Sequence, residues 1–275
     1  MQYNFYNIEI LGEEKLKGVG IPVVIDNKNN LSDDEMQDIA KVFNAYRTVF
    51  IRASLSDNLE MRVFSSKKEM FDCFYAEVAA VYSLTQSSII REIEMGNKEI
   101  TVNDPENKSK VSISYEDMKA VGVCHKIDFP QVIIEDIENT QTSHEVLIST
   151  ADKKLATKIL YVADPLEFSK LRKNIDCSRN SLEEDKLLVH YDPEFKNVFF
   201  YVARAKKSTN KLDSRHQLGF IVKYLLAKGI KREDIDNICH LLNSGQYSIM
   251  EATIEEDKFY VRMNARTFAE GILNI

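Results

Sequence analysis

Apolar residues at spacings of three and four mark the helices of this chain, and alternating or continuous apolar runs mark its strands. The most apolar helical pattern is Phe71, Tyr75, Val78 and Tyr82, with Ala76, Ala79 and Ala80 between them. Large residues on one side and small ones on the others suit a helix enclosed by structure. Ser66 followed by Glu69 reads as a capping box, so this helix is expected from about residue 67 to 84. A second capping box, Ser32 to Glu35, opens a helix with Met36, Ile39, Ala40 and Phe43 inward. Further helices are expected at 165–173, at 214–228 with Leu218, Ile221, Val222 and Leu225 on one face, and at 232–242 with Ile235, Ile238, Cys239 and Leu242 inward. Gly229 just past the fourth of these is a stop signal.

Strands are expected at 3–10, 23–25, 48–53, 59–64, 89–94, 99–102 and 110–115 in the first half. Gly18-Val-Gly20-Ile21-Pro22 reads as the turn before the second of them. The stretch 116–130 has no clear periodicity and ends in Phe129-Pro130, so it reads as the crossing between halves. The second half has strands at 131–137, 146–149, 158–162, 186–190, 198–203, 248–254, 258–263 and 266–272. Each half therefore runs several strands into one strongly apolar helix. The expected domains are 1–125 and 126–275, with the last strand, near 266–275, a candidate to return to the first. No residue-level repeat links the halves. Domain interfaces are where concave sites form, so a ligand is expected in the cleft between the halves.

Composition narrows the function. Hydrophobic residues make up 44% and charged residues 29%, as in ordinary globular chains. A formal charge of -7 argues against nucleic acid or an anionic membrane as main partner, since both need clustered Lys and Arg. No apolar run approaches the roughly 20 residues of a membrane helix, and the N-terminus lacks signal-peptide shape. Cys73, Cys124, Cys177 and Cys239 are scattered without a CxxC pair, the pattern of a reduced, cytoplasmic chain rather than a disulfide framework or zinc site. The histidines are equally dispersed, so neither a metal nor another cofactor is expected.

Three motifs carry a resemblance. Gly20-Ile21-Pro22 is similar to a Gly-Asn-Pro turn, and Asn44-Ala45-Tyr46-Arg47-Thr48-Val49-Phe50 is similar to Asn-Leu-Ser-Glu-Thr-x-Phe. Phe64 to Ala76 matches Phe-Thr-Pro-x-x-Glu-x-x-x-Cys-Gly-His-Ala without a gap. In this order and spacing they resemble the PhzF family of phenazine-biosynthesis isomerases, relatives of diaminopimelate epimerase. The second half resembles it more weakly, through 213–229 and 246–273. The resemblance implies an α+β fold of two similar domains, each a strongly curved mixed sheet wrapped around a central helix. It also implies a proton-shift isomerase of small carboxylate metabolites in a biosynthetic pathway, working as a homodimer.

The departures from the family pattern fall on the chemistry. The family's proton-moving glutamate falls on Arg47, which stays protonated and cannot act as a base. Its Gly-His pair becomes Phe74-Tyr75, and its Asn becomes Ile21. The Asp-Pro-x-Thr-Gly-Ser turn, which would hold a carboxylate at a helix start, becomes Asp213-Ser214-Arg215-His216. Two classes of function follow. In one, a rebuilt isomerase site uses Tyr75, Cys73, Asp213 and His216 for acid/base work while Arg47, Ser214 and Arg215 hold a small acidic metabolite. In the other, a non-catalytic descendant binds a ligand or a partner protein. Each residue also has a structural reading: Arg47 in an internal ion pair, Tyr75 and Cys73 in the core, Asp213 or Ser214 as a helix N-cap.

Overall fold

The computed structural model describes residues 1–10, 18–53, 58–70, 74–87, 98–103, 105, 108–116, 120–139, 143–150, 156–178, 182, 185–203, 214–242 and 246–275. The fold is α+β, and the chain divides into two compact units, Met1–Lys126 with Arg262–Ile275, and Ile127–Val261.

The first unit runs β1 (Gln2–Ile10), β2 (Val19–Ile25), α1 (Asp33–Phe43), β3 (Thr48–Ala53), β4 (Asn58–Phe64), the short β5 (Glu69–Met70), α2 (Phe74–Gln86), β6 (Lys98–Asn103), β7 (Lys108–Glu116) and β8 (Ala120–Asp128). The second runs β9 (Val132–Asn139), β10 (Ser143–Thr150), β11 (Ala156–Val162), α3 (Pro165–Ser178), β12 (Lys186–Asp192), β13 (Asn197–Ala203), α4 (Ser214–Ala227), β14 (Asn237–Leu241) and β15 (Tyr247–Ile254). The last strand, β16 (Lys258–Asn274), begins in the second unit and ends in the first, where it pairs antiparallel with β1.

Both units repeat one plan. In the first, the order β1-β2-β3-β4-β6-β7 contains two parallel pairs, β2 with β3 across α1 and β4 with β6 across α2. In the second, β10-β11-β12-β13-β14-β15 contains parallel β11 with β12 across α3 and β13 with β14 across α4. Each unit thus has an outer helix and a central one.

α1 is an outer helix because only one stripe of it is apolar. Met36, Ile39 and Ala40 pack on Tyr3, Val24, Phe50 and Phe64, with Phe43 partly buried beside them, and the opposite face is exposed. The expected capping box is present: Ser32 N–H donates to Glu35 Oε2 at 2.8 Å and Glu35 N–H to Ser32 Oγ at 3.4 Å. α2 is buried along its whole circumference from Phe74 to Leu84 and packs on β1, β2, β3, β4 and β7. Side chains alternate along a strand, so if Phe50 faces α1, Val49 and Ile51 face α2. The same alternation turns Ile8, Val23, Met61 and Val63 inward.

In the second unit α3 packs Phe168 and Ile175 on Val162, Leu188 and Tyr201. Leu218, Phe220, Ile221, Val222, Tyr224 and Leu225 of α4 are all buried. α4 ends at Gly229, whose φ of +88° suits glycine; Gly229 N–H bonds Leu226 O at 3.0 Å and Ile230 N–H bonds Leu225 O at 3.2 Å.

Several expectations are corrected. Ser66 and Glu69 do not cap α2. Glu69 lies in β5, and its carboxylate takes two hydrogen bonds from Arg62, at 2.7 and 2.9 Å. Pro22 lies inside β2 rather than in a turn, opposite Asn7 of β1, and the register with β3 starts only at Val23. The stretch 116–130, expected as the crossing between halves, does hold the boundary between the units, after Lys126, but it carries the strand β8. The expected helix 232–242 is a single 3-10 turn, Arg232–Asp234, followed by β14. The two expected last strands are one, β16. The strand expected at 89–94 and the core residue Phe71 lie outside the described residues.

Candidate functional site

Register brings the three motifs of the first unit to one end of its sheet. β2 and β3 align Val23 with Val49, so one further inward step sets Ile21 level with Arg47. β3 and β4 align Thr48 with Phe64, which sets Arg47 level with Ser65. The chain leaves β4 at Phe64 and enters α2 ten residues later, so this is the end at which α2 begins.

Arg47 follows the end of α1. Asn44 closes that helix in the left-handed region, φ 47°, with its N–H on Ala40 O and Lys41 O. Three residues on, the Arg47 guanidinium lies 5.0 Å from the centre of the Tyr46 ring. Its Nε is buried and has no hydrogen-bond partner, and Arg47 forms no ion pair among the described residues. The expected alternative of an internal carboxylate partner is therefore not met among them. Arginine offers five N–H donors and no acceptor, so this half-buried guanidinium keeps donors without an acceptor among the described residues. Next to it, the Thr48 hydroxyl is fully buried and also lacks a partner.

The other candidates are placed as follows. Tyr75 is buried in the first turn of α2, its ring 5.8 Å from that of Phe74 in an edge contact. Cys73 and Asp213 lie outside the described residues. Ser214, Arg215 and His216 share the first turn of α4 in the second unit, and His216 is half-buried. Sequence reasoning missed Tyr46, which the Tyr-Arg step could have suggested as a stacking partner. It also missed Glu77, 1% exposed and the single acid of α2, whose signal was a carboxylate inside an apolar run.

The second unit has its own buried polar cluster. His144 and Tyr161 stand opposite each other on β10 and β11. The Tyr224 hydroxyl of α4 lies 3.3 Å from His144 Nδ1, and the two tyrosine rings are 5.9 Å apart. His144 Nε2 is 2.8 Å from Asp136 Oδ1, an ion-pair contact rather than an aligned hydrogen bond. Burial, then the nearby Tyr161 and Asp136, push the Tyr224 phenol well above its ordinary pKa. Among the described residues no group of His, Cys, Asp and Glu could hold a metal ion, and no helix is long and apolar enough to cross a membrane.

A sheet-rich α+β unit around a central helix, built twice, defines an epimerase-type fold, and solved structures agree. A phenazine biosynthesis PhzC/PhzF protein of Clostridium difficile superposes with TM-score 0.71 at 17% identity, covering 99% of this chain and 100% of that one. A hydroxyproline epimerase of Agrobacterium vitis with bound trans-4-hydroxy-L-proline superposes with TM-score 0.54 at 10% identity, covering 99% and 92%. In sequence, an uncharacterized isomerase of Clostridium acetobutylicum is 26% identical over 216 residues, 69% of this chain and 70% of that protein. The family model of the phenazine biosynthesis-like proteins, PhzC-PhzF, matches residues 8–215, and the chain belongs to that family.

Proposed function

We propose that this PhzF-like isomerase-family protein binds a small carboxylate metabolite, with Arg47 as its charged anchor, and does not perform the family's glutamate-driven proton shift. One observation carries the reading: the Arg47 guanidinium falls where the resemblance places the acid, with a buried Nε and, beyond its contact with the Tyr46 ring, no hydrogen-bond or ion-pair partner among the described residues. A planar fork of donors suits a carboxylate, which accepts two parallel hydrogen bonds from it. The size of ligand is one the fold accommodates in the hydroxyproline epimerase. With a net charge of -7 the protein has little general attraction for anions, so affinity rests on this local geometry and weakens with salt.

Calorimetric titration with acetate, lactate and succinate tests it. Native protein is expected to bind at least one of them, and Arg47→Ala to lose that binding. Equal affinities, or no heat from either protein, remove Arg47 from the site.

Family membership favours a second reading, an isomerase with a rebuilt acid/base set drawn from Tyr75, Cys73, Asp213 and His216. Turnover that disappears in Tyr75→Phe but persists in Arg47→Ala would establish it. A homodimer, which the resemblance implies, is checked by sedimentation equilibrium.

A further inference from the structure

The outer face of the first unit carries a second polar constellation. β3 and β4 set Arg52 opposite Glu60, and β4 and β6 set Glu60 opposite Asn103. Alternation puts Arg52 on the face of Phe50, the face that packs on α1. A guanidinium, a carboxylate and an amide thus form one row across three strands. Beside the row, Phe50 of β3 and Met36 of α1 supply apolar wall, and together these residues line a pocket of about 250 Å³. That is below the roughly 300–1,000 Å³ of sites for drug-sized ligands, so it suits a smaller molecule.

The charges in this row are available. Arg62, which also lines the pocket, is committed to Asp33 and to both oxygens of Glu69. Arg52 is committed only in part. Its Nε makes an ion-pair contact with the buried Asp26 Oδ2 at 3.6 Å, longer than a hydrogen bond, and its guanidinium forms no hydrogen bond among the described residues. Glu60 is exposed and forms no ion pair among the described residues, although Arg52 stands directly across from it. Opposite charges that face each other on neighbouring strands without pairing to each other, beside an apolar wall, match a ligand that carries both charges itself.

We propose that this pocket binds an apolar α-amino acid, its carboxylate on Arg52, its ammonium on Glu60 and its side chain against Phe50 and Met36. The site is independent of Arg47 and lies on the opposite face of β3.

The test is calorimetry with L-leucine and L-methionine on the full chain. Arg47→Ala, which lacks the other carboxylate anchor, is expected to keep binding both amino acids. Arg52→Ala and the near-isosteric Glu60→Gln are expected to weaken binding about tenfold or more, the loss of one charged hydrogen-bond partner. N-acetyl-L-leucine, without the ammonium, and L-leucinamide, without the carboxylate, are expected to give no binding to Arg47→Ala, which lacks the other carboxylate anchor. Melting temperatures without ligand check that each variant is folded. Absence of binding to native protein, or unchanged affinity in both Arg52→Ala and Glu60→Gln, overturns the proposal. Leucine binding that only Arg47→Ala abolishes overturns it too, while supporting the carboxylate reading of the other site.

Discussion

The two units share a topology and differ in where they place polarity. Around α2 the inward wall is aliphatic, with Ile8, Val23, Val49, Met61 and Val63 all buried. The uncompensated charge, Arg47, sits at the level where that helix begins. Around α4 the inward wall includes His144 and Tyr161, and the helix answers with Tyr224, ten residues past its start. Arg47 lies at the head of the first unit's central helix, whereas the His144, Tyr161 and Tyr224 cluster lies far along the second's. The order of strands and the parallel crossovers depend on which positions are apolar, so both units keep them. Which polar group interrupts the wall is free to diverge, and that is why the repeat is visible in topology and absent from the residues.

The strongest test of the shared plan is to hollow each central helix in turn. Phe74 is 1% exposed and Phe220 0%. Phe74→Ala and Phe220→Ala are each expected to cost about 3–5 kcal/mol in denaturant unfolding, the range for an aromatic removed from a core. A loss under about 1 kcal/mol for either would show that its helix lies on a surface, and the equivalence of the units would fail.

Tyr224→Phe sharpens the difference between them. It removes a hydroxyl with almost no change in volume and leaves the buried His144 Nδ1 without that partner. The expected cost is about 1–3 kcal/mol. A neutral result would mean that the second unit's polar cluster adds nothing beyond what an aliphatic wall supplies.

The outer helices differ at their N-termini. α1 has a reciprocal box, whereas at α3 Asp164 Oδ1 accepts from Glu167 N–H at 2.7 Å. Ser32→Ala is expected to cost about 1 kcal/mol. It also changes the pH dependence. The backbone and side-chain bonds from Ser32 hold the Glu35 carboxyl below its ordinary 4.5, and the Arg62 hydrogen bond holds Asp33 below its ordinary 3.8. Both folded values are depressed, so the stability they confer is complete above the unfolded values and is lost as pH falls through the folded ones. Amide exchange in α1, corrected for intrinsic rate, is expected to quicken below about pH 4.5. Ser32→Ala should remove the hydroxyl's share of the Glu35 part and leave the backbone share and the Arg62-linked part; an unchanged acid profile would deny the Ser32 hydroxyl its role.

Legibility in the sequence followed the same physics. α1 was readable because one apolar stripe and one cap sufficed. The same Ser-x-x-Glu signature at Ser66 misled because Arg62, on the neighbouring strand, captures Glu69. Ile238 and Cys239 of β14 are both buried, so a strand covered on both faces lost its alternation and looked helical. β8 carries an alternation, Val121, Val123 and Ile127, too broken by Cys124, His125 and Lys126 to stand out as a strand. At the site, the Arg47 substitution was legible from the motif alone. That its guanidinium would lie on Tyr46 rather than in an ion pair was not, because pairing depends on which carboxylates the fold brings near.

The most direct test of Arg47 as the anion anchor is the Arg47 Nε–H resonance in a nitrogen–proton correlation spectrum. It is assigned by its absence from Arg47→Lys and followed as succinate is added. A buried N–H that gains a carboxylate acceptor is expected to move downfield and saturate, while the other arginine signals stay in place. An unmoved resonance at high succinate, or an equal drift of every arginine Nε–H, would contradict the assignment of Arg47 as the ligand anchor.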